Sequence, residues 1–138
     1  MFRSCHLSAV VIDEEAEQQT VQICERLDGG GGGGRRFPIV IGQLEALAID
    51  RAVKAHVFPR PLTHDLLLVL LDALHAELRE IRITDLRAGT FYAELVLQRS
   101  DGTTVEIDCR PSDALAVLVR RPGTPLSVAE EVLAEAAG

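Results

Sequence analysis

The sequence predicts an α+β fold, in which a mostly antiparallel, hairpin-linked sheet carries about four packed helices. Short β-branched segments with partial alternation follow one another closely, as in successive hairpins. Other segments repeat apolar residues at helical spacing. The chain has 138 residues, of which 47% are hydrophobic and 25% are charged. This length and composition suit one domain over residues 1–138 with a buried core of its own.

The first part of the chain predicts three strands. Residues 2–13 and 17–27 read as a hairpin across an acidic turn, and residues 37–41 as the third strand. The connection at residues 29–35 begins with six consecutive glycines. We expect it to be flexible, because a glycine run has no preferred path. It is not a phosphate-binding loop, since no Gly-Lys-Ser/Thr sequence follows it.

The remaining segments mix helices with strands, and prolines and glycines separate them. We expect helices at residues 43–56, 63–78, 110–121 and 129–138, and strands at residues 79–86, 90–100, 103–110 and 125–128. The Asp101-Gly102 pair is a strong hairpin signal. The three strands between residues 79 and 110 therefore form two successive hairpins.

The helix at 63–78 is apolar nearly all round between Leu66 and Leu71. A helix of this kind is either central to a core or buried against a partner. A domain of 138 residues has little room to enclose a helix on every side. The sequence therefore predicts a homodimer or a higher homo-oligomer through this helix.

The charge balance limits the kinds of partner. The chain has 21 acidic and 14 basic residues, a formal net charge of −7. Proteins that hold nucleic acid by bulk electrostatics usually carry a basic stripe instead. Nucleic acid is therefore expected as a substrate rather than as a tight ligand. Metal-assisted phosphate chemistry remains compatible with the composition, because metals bind to carboxylates.

The cysteines and the apolar runs bear on location. Cys5, Cys24 and Cys109 lack metal-binding spacing and are typical of buried thiols in a reducing compartment. The first residues lack the apolar core and cleavage site of a secretory signal. The longest apolar run, Leu66–Leu71, is too short to cross a bilayer. We therefore expect a cytoplasmic protein with no membrane attachment.

Two similar motifs begin two of the predicted helices. Residues 60–66 read RPLTHDL and residues 108–113 read DCRPSD, each with Arg-Pro, a hydroxyl residue and an acid. Helix 63–78 and strand 79–86 have almost no connection and similar lengths, about 24 Å and about 26 Å, so they run antiparallel. Two hairpins then return the chain to the same edge. The residues expected at this rim are Arg60, His64, Asp65, Asp85, Asp108, Arg110 and Asp113.

The predicted rim combines groups that suit phosphate chemistry. Helix N-termini favour anions, and Arg60 and Arg110 can each grip two phosphate oxygens. The neighbouring carboxylates would repel a phosphate unless Mg²⁺ or Mn²⁺ lay between them. His64 is a candidate general base or acid. The pattern favours metal-assisted cleavage of a phosphodiester.

Helix capping explains part of the same pattern without any activity. Thr63 is a good N-cap residue, and Asp65 in the first turn complements the helix dipole. Ser112 or Asp113 has the same interpretation, with Pro111 in the first turn. The arginines then serve only to pair with these acids.

The motifs FPIVIG, PRPLTHDLL, ITDLRAGTFYAELVL and RPSDALAV, with the terminal VAEEVL, resemble the bifunctional nuclease domain family. The resemblance covers nearly the whole chain and implies nuclease activity on DNA and RNA. The polar positions that match the family's motifs are Glu45, Arg60, Thr63, His64, Asp65, Asp85, Thr90, Tyr92, Asp108, Arg110, Ser112 and Asp113.

We assign provisional roles to these positions from their chemistry. The catalytic candidates are His64, Asp65, Asp85, Asp108 and Asp113. The substrate-binding candidates are Arg60, Thr63, Thr90, Tyr92, Arg110 and Ser112. The metal candidates are Asp85, Asp108 and Asp113, with Glu45 as a weaker one. The alternative hypothesis is a non-catalytic module that binds a small anion or a partner protein at the same rim.

Overall fold

The computed structural model describes residues 1–27 and 33–138, and the predicted flexible connection falls mainly on residues outside these ranges. The described residues form seven strands and four helices, which confirms the α+β class. The strands are β1 (Phe2–Val11), β2 (Gln18–Glu25), β3 (Arg36–Gly42), β4 (Glu77–Arg87), β5 (Thr90–Gln98), β6 (Thr104–Cys109) and β7 (Leu126–Ala129). The helices are α1 (Gln43–Val53), α2 (Thr63–Ala73), α3 (Pro111–Arg120) and α4 (Glu130–Ala136).

The strands form one sheet in the order β3-β2-β1-β7-β4-β5-β6. The predicted hairpins β1–β2, β4–β5 and β5–β6 are all present and antiparallel. The short strand β7 lies between β1 and β4, antiparallel to β1 and parallel to β4. A late segment of the chain thus joins the two hairpin units into a single sheet.

The core lies between the sheet and the helices. Alternate residues of the strands face it, such as Ile81 and Ile83 on β4, which are almost completely buried. From the helix side, Ile49 of α1 and Leu115 of α3 are fully buried in the same core. Burying an aliphatic side chain of this size contributes roughly 1.5–3 kcal/mol. This shared core fixes α1 and α3 relative to the sheet.

The sheet curves so that distant strands approach each other. Phe37 on β3 stacks on Phe91 of β5, with ring centroids 5.5 Å apart, although four strands separate β3 from β5 in the sheet order. The curvature leaves a cleft between β3 and the β4–β5 hairpin.

The first two helices end earlier than their apolar patterns predict. α1 ends at Val53 and α2 at Ala73, not at 56 and 78. Each is followed by a residue with a left-handed backbone, Ala55 at φ 56° and His75 at φ 57°. The N–H groups of His75 and Ala76 bind the carbonyls of Asp72 and Leu71, and α1 ends with the same arrangement. This is a Schellman motif, and the sequence hides it because neither left-handed residue is glycine.

None of the three cysteines forms a disulfide bond. Cys5, Cys24 and Cys109 are all free thiols. Cys5 pairs with Glu25, and Cys24 pairs with His6, so the register does not place the two strand cysteines opposite each other. Burial raises the pKa of Cys5 to about 11 and that of Cys109 to about 12, which keeps both thiols protonated.

Among the described residues, no helix has both the length and the apolar character required to cross a membrane.

Candidate active site

Three helices begin at one place in the structure, where the sequence predicts two. α1, α2 and α3 begin after Gly42, Leu62 and Arg110. Each helix carries an acidic residue at its third position, and these residues are Glu45, Asp65 and Asp113. The positive end of a helix stabilises a carboxylate at this position. We call Glu45, His64, Arg110 and Asp113 the helix-start cluster, because hydrogen bonds link them across the three helices.

The link between α2 and α3 is a histidine–aspartate pair. His64 Nε2 lies 3.0 Å from Asp113 Oδ1. The pKa of the Asp113 carboxyl is below its usual range, because hydrogen bonds from Arg110, and then from His64, outweigh the opposing effect of burial. An ionised carboxylate only accepts hydrogen bonds, so the proton of this contact belongs to Nε2. The other ring nitrogen, Nδ1, then carries a lone pair, and the His64 side chain is 15% exposed.

Arg110 connects this pair to α1. Its Nε and Nη2 atoms donate to the two oxygens of Asp113, at 2.9 and 3.1 Å. Its Nη1 atom donates to Glu45 Oε1 at 3.1 Å. These bonds raise the pKa of the guanidinium above its ordinary value. The side chain is nevertheless 63% exposed, so the arginine is fixed in orientation and open to solvent.

Gly42 determines where the Glu45 carboxylate can lie. The side chain of Glu45 folds back over the start of its own helix, and a Cβ atom on residue 42 would overlap Glu45 Oε2. The backbone of Gly42 is extended, at φ −74° and ψ 166°, so the glycine is not needed for its conformation. Because residue 42 has no side chain, the Glu45 carboxylate lies directly against its backbone in the position where it accepts from Arg110.

A cleft of about 390 Å³ opens beside the cluster. It lies between β3, the β4–β5 turn and the start of α3. Glu45, Thr90, Arg110 and Ser112 supply predicted polar groups to its wall. Its other lining residues are Pro38, Ile39, Val40, Ile41, Gly42, Gly89, Phe91 and Pro111. The sequence patterns gave no reason to expect β3 at this site. It approaches β5 only because the sheet curves, and four strands lie between them in the sheet order.

Asp65 has a structural task that the sequence did not reveal. Its Oδ1 accepts from Arg120 Nε at 2.7 Å, and its Oδ2 accepts from the Leu62 backbone N–H at 2.9 Å. The Arg120 side chain is only 6% exposed. Burial alone would raise the pKa of Asp65, but the bonds from Leu62 and Arg120 lower it below its usual range. The carboxylate therefore holds the start of α2 on α3.

The predicted N-cap role of Thr63 is wrong. The N-cap position of α2 is Leu62, and Thr63 is the exposed first residue of the helix. Leu62 has no side-chain acceptor, and the Asp65 carboxylate meets its N–H instead. Pro111 does occupy the first turn of α3, as expected.

Three predicted site residues, Asp85, Tyr92 and Asp108, lie on the other face of the sheet from the cluster. Ala93 and Cys109 are paired and belong to the core side, so their neighbours Tyr92 and Asp108 point away from it. Asp85 pairs with Tyr92 and shares that outer face. No hydrogen bond or ion pair among the described residues joins these three to the helix-start cluster.

The outer-face residues have different partners. Asp85 forms an ion pair with Arg87 at 3.3 Å, and the Arg87 guanidinium lies 4.8 Å from the centre of the Tyr92 ring. Asp108 is opposite Glu94 in the register of β5 and β6. The pKa of Glu94 is raised by burial and then by Glu106, despite the opposing charge of Arg82. Arg60, the remaining predicted arginine, is exposed and forms no ion pair with the described residues.

The metal candidates do not form a ready-made site. Within residues 1–27 and 33–138, no three His, Cys, Asp or Glu side chains are grouped so that they could hold a metal ion. Asp113 is bonded to Arg110 and His64, while Asp85 and Asp108 lie on the outer face. The residues present therefore do not fit a metal held by protein ligands alone.

The fold and the cluster define a class of protein: a curved α+β domain whose helix starts carry a histidine–carboxylate–arginine site beside a cleft. The family model for the bifunctional nuclease domain matches residues 28–138, and the chain belongs to this family. The chain is 42% identical over 123 residues to the uncharacterized proteins MT1877 and Rv1829 of two Mycobacterium tuberculosis strains, CDC 1551 / Oshkosh and ATCC 25618 / H37Rv. Each alignment covers 89% of this chain and 70% of the relative.

Proposed function

We propose that the chain is a nuclease that hydrolyses phosphodiester bonds of DNA and RNA at the helix-start cluster. The observation that carries the proposal is the hydrogen-bonded series from His64 through Asp113 and Arg110 to Glu45, the last two of which line an open cleft. Membership of the bifunctional nuclease domain family supports the same reaction.

His64 acts as the general base in this proposal. Asp113 holds the ring through Nε2–H, which leaves the Nδ1 lone pair to accept a proton from the attacking water. This is the same division of work as in other catalytic pairs, where a carboxylate orients the imidazole and stabilises its charged form. As the water oxygen bonds to phosphorus, the bond from phosphorus to the leaving oxygen breaks, and the imidazolium can return the proton to that leaving oxygen.

Arg110 stabilises the charge that develops on the phosphate. A guanidinium has five N–H donors, and Arg110 directs three of them to Asp113 and Glu45. The other two remain for phosphate oxygens. Because the orientation is fixed before the substrate arrives, little reorganisation is needed during the reaction.

The proposal includes a divalent metal that would be held jointly by a carboxylate of the protein and by the phosphate of the substrate. Mg²⁺ in proteins is often bound by one or two carboxylates together with substrate phosphates. Glu45 is the carboxylate of the cluster that lines the cleft. When bound there, Mg²⁺ or Mn²⁺ would supply positive charge to the phosphate.

The test is cleavage of single-stranded RNA and of plasmid DNA, with Mg²⁺, with Mn²⁺ and with chelator. His64→Ala and Asp113→Asn should lower the rate by about 10²–10⁴-fold, the usual contribution of general acid–base catalysis. His56→Ala is the matched control, because His56 is exposed and lies outside the cluster. Identical purification of all the variants detects a contaminating nuclease, which would cut equally in each preparation.

Gly42→Ala tests the position of the Glu45 carboxylate without removing any polar group of the cluster. The new Cβ displaces the Glu45 carboxylate and removes a partner of Arg110, while the backbone of residue 42 accepts alanine without strain. We expect a loss of activity smaller than that of His64→Ala, with folding unchanged by circular dichroism. Equal cleavage by the wild type, His64→Ala and Asp113→Asn would exclude the proposed site. A complete lack of cleavage by the wild type would favour the anion- or partner-binding alternative.

A further inference from the structure

A separate cavity of about 290 Å³ lies where α1 and α3 end, whereas the helix-start cluster lies where they begin. Its wall consists of residues 5–10 of β1, Arg26, Val53 of α1, Leu118 and Val119 of α3, residues 122–124, and Leu126 of β7. It shares no lining residue with the cleft beside the helix-start cluster. A ligand bound here would therefore occupy a different site from the proposed nuclease substrate.

The cavity follows a part of β1 that has a neighbouring strand on one side only. β7 pairs with β1 over Phe2–Cys5, whereas β2 pairs with it from Cys5 to Val11. A strand directs its N–H and C=O groups alternately to its two sides. Beyond Cys5, the groups on the β7 side have no strand partner in the described chain. A bulge between Leu7 and Ala9 also lies in this wall, and bulges are over-represented next to active sites.

Most of the wall is apolar, and it runs from the core to the surface. At the inner end, Cys5 and Leu126 are each 2% exposed, while Val53 at the outer end is 57% exposed. Between these ends lie four partly buried aliphatic side chains, Leu7, Val10, Leu118 and Val119. Small-molecule sites are typically lined in this way, with a few polar groups that fix the orientation of the ligand.

Two polar side chains of the wall are not engaged within the protein. His6 Nδ1 is buried and has no hydrogen-bond partner among the described residues. Arg26 is exposed, and its guanidinium forms no ion pair with the part of the chain that the structure describes. The hydroxyls of Ser8 and Thr124, in contrast, already donate to backbone carbonyls. A buried polar atom without a partner lowers stability, so His6 calls for a functional explanation.

The charge of the wall indicates the class of ligand. None of the described lining residues is acidic, although the chain has 21 acidic residues. Arg26 is the one permanently charged residue among them. A guanidinium binds a carboxylate through two parallel hydrogen bonds, and an imidazole N–H can also donate to it. A neutral apolar molecule would leave both His6 and Arg26 without a partner.

We propose that this cavity binds a small amphipathic carboxylate, which has an apolar chain or ring and one carboxylate group. Arg26 and the Nδ1–H of His6 hold the carboxylate, and the apolar body packs on Leu7, Leu118 and Val119. Pockets for small molecules have volumes of about 300–1,000 Å³, and this cavity is at the lower end of that range. The ligand is accordingly a short chain or a single ring.

Isothermal titration calorimetry of the wild-type chain with hexanoate, octanoate and phenylacetate tests the proposal. We expect at least one of them to bind at least tenfold more tightly than acetate, which lacks the apolar body. It should also bind at least tenfold more tightly than the corresponding alcohol, which lacks the charge. Binding is measured directly, so the result does not depend on whether the chain cleaves nucleic acid. Failure of all three carboxylates to bind, or equal binding of the alcohol, would overturn the proposal.

Arg26→Ala tests the guanidinium as a partner of the carboxylate. We expect the affinity to fall about tenfold or more, the effect of losing a hydrogen bond to a charged group. Arg99→Ala is the matched control, because Arg99 is also exposed, forms no ion pair with the described residues and lies outside this cavity. Equal affinities of the two variants would count against the assigned site.

His6→Phe retains a ring of similar shape and removes the unpartnered nitrogen. The affinity should again fall about tenfold, while the urea midpoint of the free protein should stay equal or rise. This opposite response of binding and stability separates a ligand-binding histidine from a structural one. A His6→Phe variant that unfolds more readily and still binds the carboxylate as tightly as the wild type would contradict the proposal.

A peptide is the alternative occupant, because an extended backbone could pair with β1 beyond Cys5. An apolar four-residue peptide, with a free or an amidated C-terminus, distinguishes the two. Binding at least tenfold tighter than that of the best small carboxylate, with no effect of amidation, would replace the proposal by strand addition. Weaker binding of the peptide, or its loss on amidation, supports recognition of the carboxylate.

Discussion

At the residue scale, the same kind of residue at the same helix position has two different tasks. Asp65 and Asp113 are both the third residue of a helix, and both have a lowered pKa. Asp113 is bonded to His64 and to Arg110, which lines the cleft. Asp65 is bonded to Arg120, whose side chain is almost completely buried. The partner, not the position, separates a candidate catalytic acid from a structural one.

Asp65→Ala should therefore lower stability. Loss of the carboxylate leaves the Arg120 charge without its partner, which costs about 1–3 kcal/mol of unfolding free energy, or more if the arginine stays buried. Urea unfolding at neutral pH measures it. Asp72→Ala is the control, because its pair with Arg121 is exposed and contributes at most about 1 kcal/mol.

The contribution of Asp65 to the free energy of unfolding should also depend on pH. The folded pKa lies below the ordinary value of about 3.9. The ionised carboxylate therefore stabilises the fold above that value, and this stabilisation is lost as the pH falls through the lower folded pKa. The difference between wild type and Asp65→Ala should shrink in that acidic window. A constant difference across it would show that the pairing with Arg120 is not the cause.

At the element scale, the ends of α1 and α2 determine the path of the chain as much as their starts do. α1 and α2 both stop at Schellman motifs whose left-handed residues, Ala55 and His75, carry side chains. A side chain in that conformation costs roughly 1–2 kcal/mol relative to the right-handed one. The early stop of α2 releases the chain into β4, so that β4 begins at Glu77 and not at the predicted 79.

His75→Gly should raise the free energy of unfolding by about 0.5–1 kcal/mol. Glycine removes the steric cost of φ 57°, and its greater freedom in the unfolded chain offsets part of this gain. Ala134→Gly, at an exposed right-handed position within α4, should instead lower stability by about 0.5–1 kcal/mol. Thermal and urea unfolding give both values. A loss of stability in both variants would contradict the assigned backbone of residue 75.

At the scale of the whole molecule, the negative charge sets how a nucleic acid can bind. The net charge is −7, and the cluster neutralises much of Arg110 with two carboxylates. A protein that makes 6–10 phosphate contacts loses about 10³–10⁵ in affinity when salt rises from 50 to 200 mM. This chain has 14 basic against 21 acidic residues, so the proposed substrate would be held by local contacts and not by bulk charge.

The catalytic efficiency of the proposed nuclease should accordingly depend only weakly on salt concentration. We expect kcat/KM for single-stranded RNA to change by less than about tenfold over that salt range. Replacement of Glu131 and Glu135, both exposed on α4, with lysine should increase kcat/KM at low salt and introduce a steeper salt dependence. A steep fall in the wild type would reveal an extended phosphate-binding surface.

The sequence by itself predicted the α+β class, the hairpins and the meeting of the two helix starts. These follow from local signals: strand alternation, turn residues such as Asp101-Gly102, and near-contact between the end of one element and the start of the next. His64 and Asp113 are accordingly found bonded, 3.0 Å apart. The sequence was sufficient to predict this contact, because two successive hairpins return the chain to the edge of the sheet where α2 begins.

Only the tertiary structure decided the rest. The insertion of β7 between β1 and β4 and the approach of β3 to β5 join residues far apart in sequence, which no local pattern specifies. These long-range contacts bring Glu45 and the third helix start to Arg110. The pleat of β5 and β6 then places Tyr92 and Asp108 on the opposite face of the sheet. Successive side chains of a strand point to opposite sides, and the register of the strands determines which side faces the core.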